Sequence, residues 1–144
     1  MKYFLTVLIT GLIYLPLFAG IRLPEIFNDH MVLQRDRLIP VWGWAAANEK
    51  IEVRFHEQVK QTKADKNGNW MIRLDAESAG GPYELIIKGK NEISIENVLV
   101  GEVWLCSGQS NMEWTVGLSM NAKNEIAAAN YPMIRHIKIQ HAIG

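Results

Sequence analysis

Residues 98–114 read Val-Leu-Val-Gly-Glu-Val-Trp-Leu-Cys-Ser-Gly-Gln-Ser-Asn-Met-Glu-Trp. An apolar run ending at Cys106 gives way to Ser107, Gly108, Gln109, Ser110 and Asn111, and packing residues resume at Met112 and Trp114. A serine hydroxyl on such a loop is a candidate nucleophile for acyl transfer once a base takes its proton. Its backbone N–H can serve a developing oxyanion. Gly108 lets the chain turn sharply without a Cβ clash. The layout shares the logic of a nucleophile elbow, but Met112 stands where G-x-S-x-G has its second glycine, so the usual α/β-hydrolase signature is absent. A structural role fits the same residues: Ser110 or Asn111 capping the helix that follows. Residue types alone leave both roles open.

The elements needed to position this loop change character near Val98. From Ile21 to Asn97 the pattern is short strands and turns. Ile51, Val53 and Phe55 alternate with Glu52, Arg54 and His56, a period of two with one buried face. Residues 59–63 read as the partner strand. Asn67-Gly68 is a strong hairpin signal, because both residues tolerate positive φ, and Trp70, Ile72 and Leu74 alternate on the return. Tyr83–Ile87 and Ile93–Ile95 flank a Gly89-Lys90-Asn91 turn. Residues 40–44 start or edge a strand, since Pro40 cannot donate to a ladder. The region reads as an antiparallel, sandwich-like β domain over residues 21–97. Beyond it, a strand over 100–106, the polar loop, a helix over 118–129 ended by Tyr131-Pro132, and a strand over 134–139 give the first βαβ unit of an α/β layer over residues 98–144. Two parallel strands cannot cover both their faces, so this second domain is expected to be incomplete. The fold class is therefore β followed by α/β.

Lys plus Arg and Asp plus Glu each number 15, and no basic stripe points to nucleic acid. Met1-Lys2, the apolar run Phe4–Phe18 and Ala19-Gly20 have the three-part layout of a secretory signal peptide over residues 1–20. The run is shorter than the ~20 residues of a membrane span, so no stable span is expected after cleavage, and the protein is expected to be secreted or periplasmic. Cys106 is the sole cysteine, which excludes an internal disulfide, and its apolar setting reads as that of a buried small hydrophobe. No metal-ligand spacing or phosphate-cradling glycine loop is found, so no cofactor or metal is expected.

The run Gly101–Trp114 closely resembles the nucleophile block of the sialate O-acetylesterases, SGNH-type (GDSL-like) carbohydrate esterases. Residues 23–27, 29–34 and 40–45 resemble that family's N-terminal β region, and Ala127, Asn130, Tyr131, Pro132, Ile134 and Arg135 also fit. The resemblance implies that Ser110 is the catalytic nucleophile, attacking the acetyl carbonyl of an O-acetylated carbohydrate, sialic acid or a related sugar. Gly108, Gln109 and Asn111 would support its loop. The family's catalytic histidine lies in an Asp-x-x-His block toward its C-terminus, and this chain has none. Its histidines, His30, His56, His136 and His141, are each better read as structural or exposed. The chain is thus expected to be an N-terminal fragment, inactive alone because a serine without a base is a weak nucleophile. Rival readings are a sugar-binding module using Trp42, Trp44 and Trp70, for which core packing is the better account, an esterase acting on acetylated xylan, and a short pseudoenzyme that serves as a structural partner.

Overall fold

Ile51, Val53 and Phe55 are buried while the residues between them face outward, and the same alternation recurs in Trp70, Ile72 and Leu74. These period-two segments form strands because one pleated face can be removed from water. The computed structural model describes residues 20–139. Its strands are β1 (Val32–Gln34), β2 (Ile39–Trp44), β3 (Lys50–Phe55), β4 (Gln58–Lys63), β5 (Asn69–Leu74), β6 (Gly80–Lys88) and β7 (Glu92–Gly101). They build a five-stranded sheet in the order β1-β7-β6-β3-β4 and a two-stranded sheet of β2 and β5. Ile39, Val41, Trp70, Ile72 and Leu74 of the small sheet and Ile51, Val53, Phe55, Leu85, Ile87, Ile95, Val98 and Val100 of the large one form one core. The Phe55 ring meets Tyr83 edge-on, with centroids 5.5 Å apart.

Several expectations are corrected in detail. The sandwich is not wholly antiparallel: β1 runs parallel to β7, with Val32, Leu33 and Gln34 opposite Leu99, Val100 and Gly101. The Asn67-Gly68 turn does not close a hairpin, because β4 belongs to the large sheet and β5 pairs with β2. The turn itself forms: Asp65 Oδ1 accepts the Asn67 and Asn69 N–H groups at 2.7 and 2.9 Å, and Gly68 has a φ of 84°. It carries the chain from one sheet to the other, since a buried face on each strand is satisfied only by facing sheets. The β6–β7 hairpin does form about residues 89–91.

β7 continues unbroken across residues 97 and 98. Leu85 pairs with Ile95 and Tyr83 with Val98, so β7 carries one more residue than β6 over that interval. This is a β-bulge, with Asn97 at a φ of 57°. It shifts the alternation, so that Ile93 and Ile95 face the core before it and Val98 and Val100 after it. In sequence the phase change reads as the end of a domain; in the fold it is a bulge within one strand.

After Gly101 the described chain holds two short 3-10 turns, Ser110–Glu113 and Val116–Leu118, and one helix, α1 (Ala122–Ala128). The strands expected over 100–106 and 134–139 are not formed beyond Gly101, and the helix is shorter than expected. Apart from half-buried Ala122 and Arg135, every residue from 102 to 139 is exposed. Trp104 and Leu105 are 83% and 88% exposed. Two parallel strands and one short helix would leave the layer's apolar faces uncovered, so the segment gains nothing by pairing.

Candidate functional site

Gln109 has extended backbone (φ −98°, ψ −165°), and the chain then tightens into the turn that begins at Ser110. The Met112 N–H donates to the Gln109 carbonyl at 2.9 Å and the Trp114 N–H to that of Asn111 at 3.3 Å. Gly108 has a φ of 157°, and a Cβ there would stand 3.0 Å from Met112 Cγ. A side chain there would be strained where the loop folds back over Met112. Ser110 and Asn111 cap nothing: the turn has no side-chain cap, and α1 starts at Ala122 with Asn121 as its N-cap, far along the chain. Gly108, Gln109, Ser110 and Asn111 therefore form one exposed loop, with the Ser110 hydroxyl open to solvent.

No hydrogen bond joins Ser110 to a described histidine. His30 lies in a turn at a φ of 66°, its N–H bonded to the Glu96 carbonyl. His56 is in the β3–β4 turn, not on the wet side of a strand; its ring stacks on Tyr83 at 4.5 Å, and Nδ1 lies 3.4 Å from Glu77 Oε2. His136 is exposed. His141 lies outside the described residues, as do positions 1–19 of the expected signal peptide. Cys106 is exposed and not buried as expected, because β7 ends before reaching it. Among the described residues no group of three or more His, Cys, Asp or Glu side chains could hold a metal, and no helix is long and apolar enough to cross a membrane.

The loop segment is tied to the sandwich at two places that the sequence does not announce. Gln34 of β1 accepts the Val103 N–H at 2.9 Å and donates to Glu102 Oε2 at 3.2 Å. Arg135 donates Nη1 to the Asn97 carbonyl and Nη2 to Asn97 Oδ1, the latter at 2.8 Å. Both ties join residues dozens of positions apart, so no local pattern encodes them.

Of the three tryptophans Trp42, Trp44 and Trp70, core packing accounts for Trp70 alone; Trp42 is half-buried and Trp44 is 41% exposed, both on the outer face of β2. Trp70 is 4% exposed and belongs to the core, with its Nε1 buried and unbonded. Trp42 meets Phe27 edge-on at 4.8 Å, and the Arg22 guanidinium lies 5.8 Å from the Trp44 ring. A shallow cleft of about 460 Å³ runs over Trp42, Trp44 and Met71 on the outer face of β2 and β5. Two carboxylates are held below their ordinary range: Asp65 chiefly by the Asn69 backbone N–H, and Glu52 chiefly by Arg54 and then Gln61.

The chain is similar to known acetylesterases. The human sialate O-acetylesterase is 32% identical over 134 residues, covering 83% of this chain and 25% of that protein. The Rattus norvegicus sialate O-acetylesterase is 33% identical over 130 residues, 81% of this chain and 24% of its own length. The crystal structure of a carbohydrate acetylesterase from Xanthomonas citri superposes with a TM-score of 0.75 at 44% identity, over 78% of this chain and 26% of that one. No family model matches the sequence. The chain spans about a quarter of the length of the curated relatives it matches.

Proposed function

As the chain belongs to the sialate O-acetylesterase family, we propose that it is the nucleophile-bearing portion of an esterase that removes O-acetyl groups from sialic acid or a related acetylated sugar. The observation that carries this reading is the joint likeness, in sequence and in structure, to acetylesterases over some four fifths of the chain. Ser110 Oγ attacks the acetyl carbonyl, and the serine proton passes to a base. The Ser110 N–H steadies the oxyanion. The tetrahedral intermediate collapses to acetyl-Ser110 and expels the sugar oxygen, which takes the proton back. Water then attacks the acetyl-enzyme, releasing acetate and restoring the serine.

The base and the other oxyanion donors come from regions of the family outside the part matched here, as the resemblance to an Asp-x-x-His esterase implies. Residues 102–139 become the first strand, nucleophile loop, helix and second strand of the SGNH layer once further elements cover their faces. The exposure of Trp104, Leu105, Ile134, Ile137 and Ile139 supports this reading, because an apolar stretch of that size is stable only when covered. Residues 1–20 direct export, so the mature protein acts outside the cytoplasm.

The test is acetate release from an O-acetylated sialic acid by a protein spanning the relatives' full length. Ser110→Ala is expected to abolish it; turnover retained within about tenfold would refute the nucleophile, since loss of an activated serine costs orders of magnitude. The 144-residue chain alone is expected to release acetate at the background rate. Ser110-dependent release by that chain would overturn the placement of the base.

A further inference from the structure

The residues between the two ties form a single excursion that leaves the sandwich at Val103 and returns at Arg135, with the Gly108–Met112 loop inside it. The departure point is held by Gln34, with Arg35 Nε also 3.9 Å from Glu102 Oε1. The return point is held by Arg135 alone among the residues from 129 to 139, and it is the one side chain of that stretch that is half-buried. Its acceptors are specific. A bulged residue is left out of the strand ladder, so its carbonyl is free. At Asn97 the left-handed backbone presents that carbonyl and the side-chain amide oxygen to one guanidinium fork. Arg supplies two parallel donors in fixed geometry, which Lys cannot. The two ties lie on β7 and its neighbour β1, about 13 Å apart at the usual rise per strand residue.

We propose that Arg135 is a positioning residue: its clamp on the Asn97 bulge fixes where the nucleophile segment stands on the β domain. That the object positioned is a catalytic serine rests on the esterase reading. The clamp itself does not, and its first test involves no chemistry.

Backbone ¹⁵N relaxation of the 144-residue chain reads it directly. Residues 133–137 of the native chain are expected to have order parameters near the ~0.85 of rigid backbone, falling below about 0.6 in Arg135→Ala while β3 and β6 are unchanged. Asn97→Gly keeps the left-handed backbone and the carbonyl but deletes the amide oxygen, so it should give part of the effect and add nothing to Arg135→Ala. Order parameters already low in the native chain, unchanged by Arg135→Ala, or lowered throughout the sandwich would each overturn the clamp. In a protein of the relatives' full length, Arg135→Ala should lower kcat by about tenfold or more, with KM and the melting temperature little changed, and Arg135→Lys should restore only part of it. A kcat within about twofold of native, with the relaxation result intact, would overturn the positioning role while leaving the docking contact. If Ser110→Ala proves as active as the native protein, the esterase reading fails and the relaxation result stands by itself.

Discussion

Replacing Glu49 separates a buried carboxylate that organises the sandwich from one that is merely tolerated. Glu49 is 7% exposed and is the one buried charged residue in the described chain. Its carboxylate accepts two backbone N–H groups, Ala46 at 3.0 Å and Lys90 at 2.7 Å, and so joins the loop before β3 to the β6–β7 turn. It packs so closely that a Cβ on Gly89 would stand 2.6 Å from Oε1. Glu49→Gln keeps the shape but sets an amide donor against one of the two N–H groups. Lys90 is exposed and Ala46 half-buried, so the donor left without a partner is only part-buried and costs about 1 kcal/mol. Glu49→Ala leaves both without a partner, for about 2 kcal/mol, a sizeable share of the ~5–15 kcal/mol that stabilises a typical domain. Urea unfolding followed by tryptophan fluorescence should show the midpoint falling in that order with an unchanged slope. For a domain of this size the glutamine variant should melt about 4–8 °C lower. If both variants unfold within about 0.5 kcal/mol of the native chain, the two hydrogen bonds do not hold these loops and the reasoning fails.

Ending the chain after Gly101 should lower the melting temperature by less than about 4 °C, because no described residue beyond it joins the core and exposed polar ties contribute little; calorimetry of the two lengths decides. Gly68→Ala should destabilise by more than about 1 kcal/mol in urea, since its φ is 84° and a Cβ would meet the Ala45 carbonyl oxygen at 2.6 Å. Asp65 and Glu52 have folded pKa values below their unfolded ones, so the stability they add is present above the unfolded values and is lost as pH falls through the folded ones. Melting temperature should therefore drop below about pH 4, and Asp65→Asn should flatten that drop. Hydrolysis by a protein of full family length should vanish in Ser110→Ala without a change in melting temperature, as the exposed hydroxyl packs against nothing.

Local pattern was enough to read β3, β4, β5 and the β6–β7 hairpin, because a half-buried strand needs only alternation and a turn needs only its own few residues. The polar loop was legible too: Gly108 and Ser110 break an apolar run in a way that packing does not require, and the segment is an exposed loop; the nucleophile role of Ser110 is what the resemblance adds as a proposal. What alternation cannot encode is which strand lies beside which. The pairing of β5 with β2 and of β1 with β7 joins distant residues through the shared core, so the Asn67-Gly68 turn became a crossing between sheets. Nor could it distinguish a domain boundary from a bulge, since one extra residue at Asn97 changes the phase of burial just as a new element would. The apolar pattern of 100–106 and 134–139 was read as strand, but strands form only where neighbours supply hydrogen bonds and cover. Among the described residues that cover is absent, and Arg135 reaches the bulge at Asn97 because a guanidinium needs two acceptors that only the folded strand brings side by side.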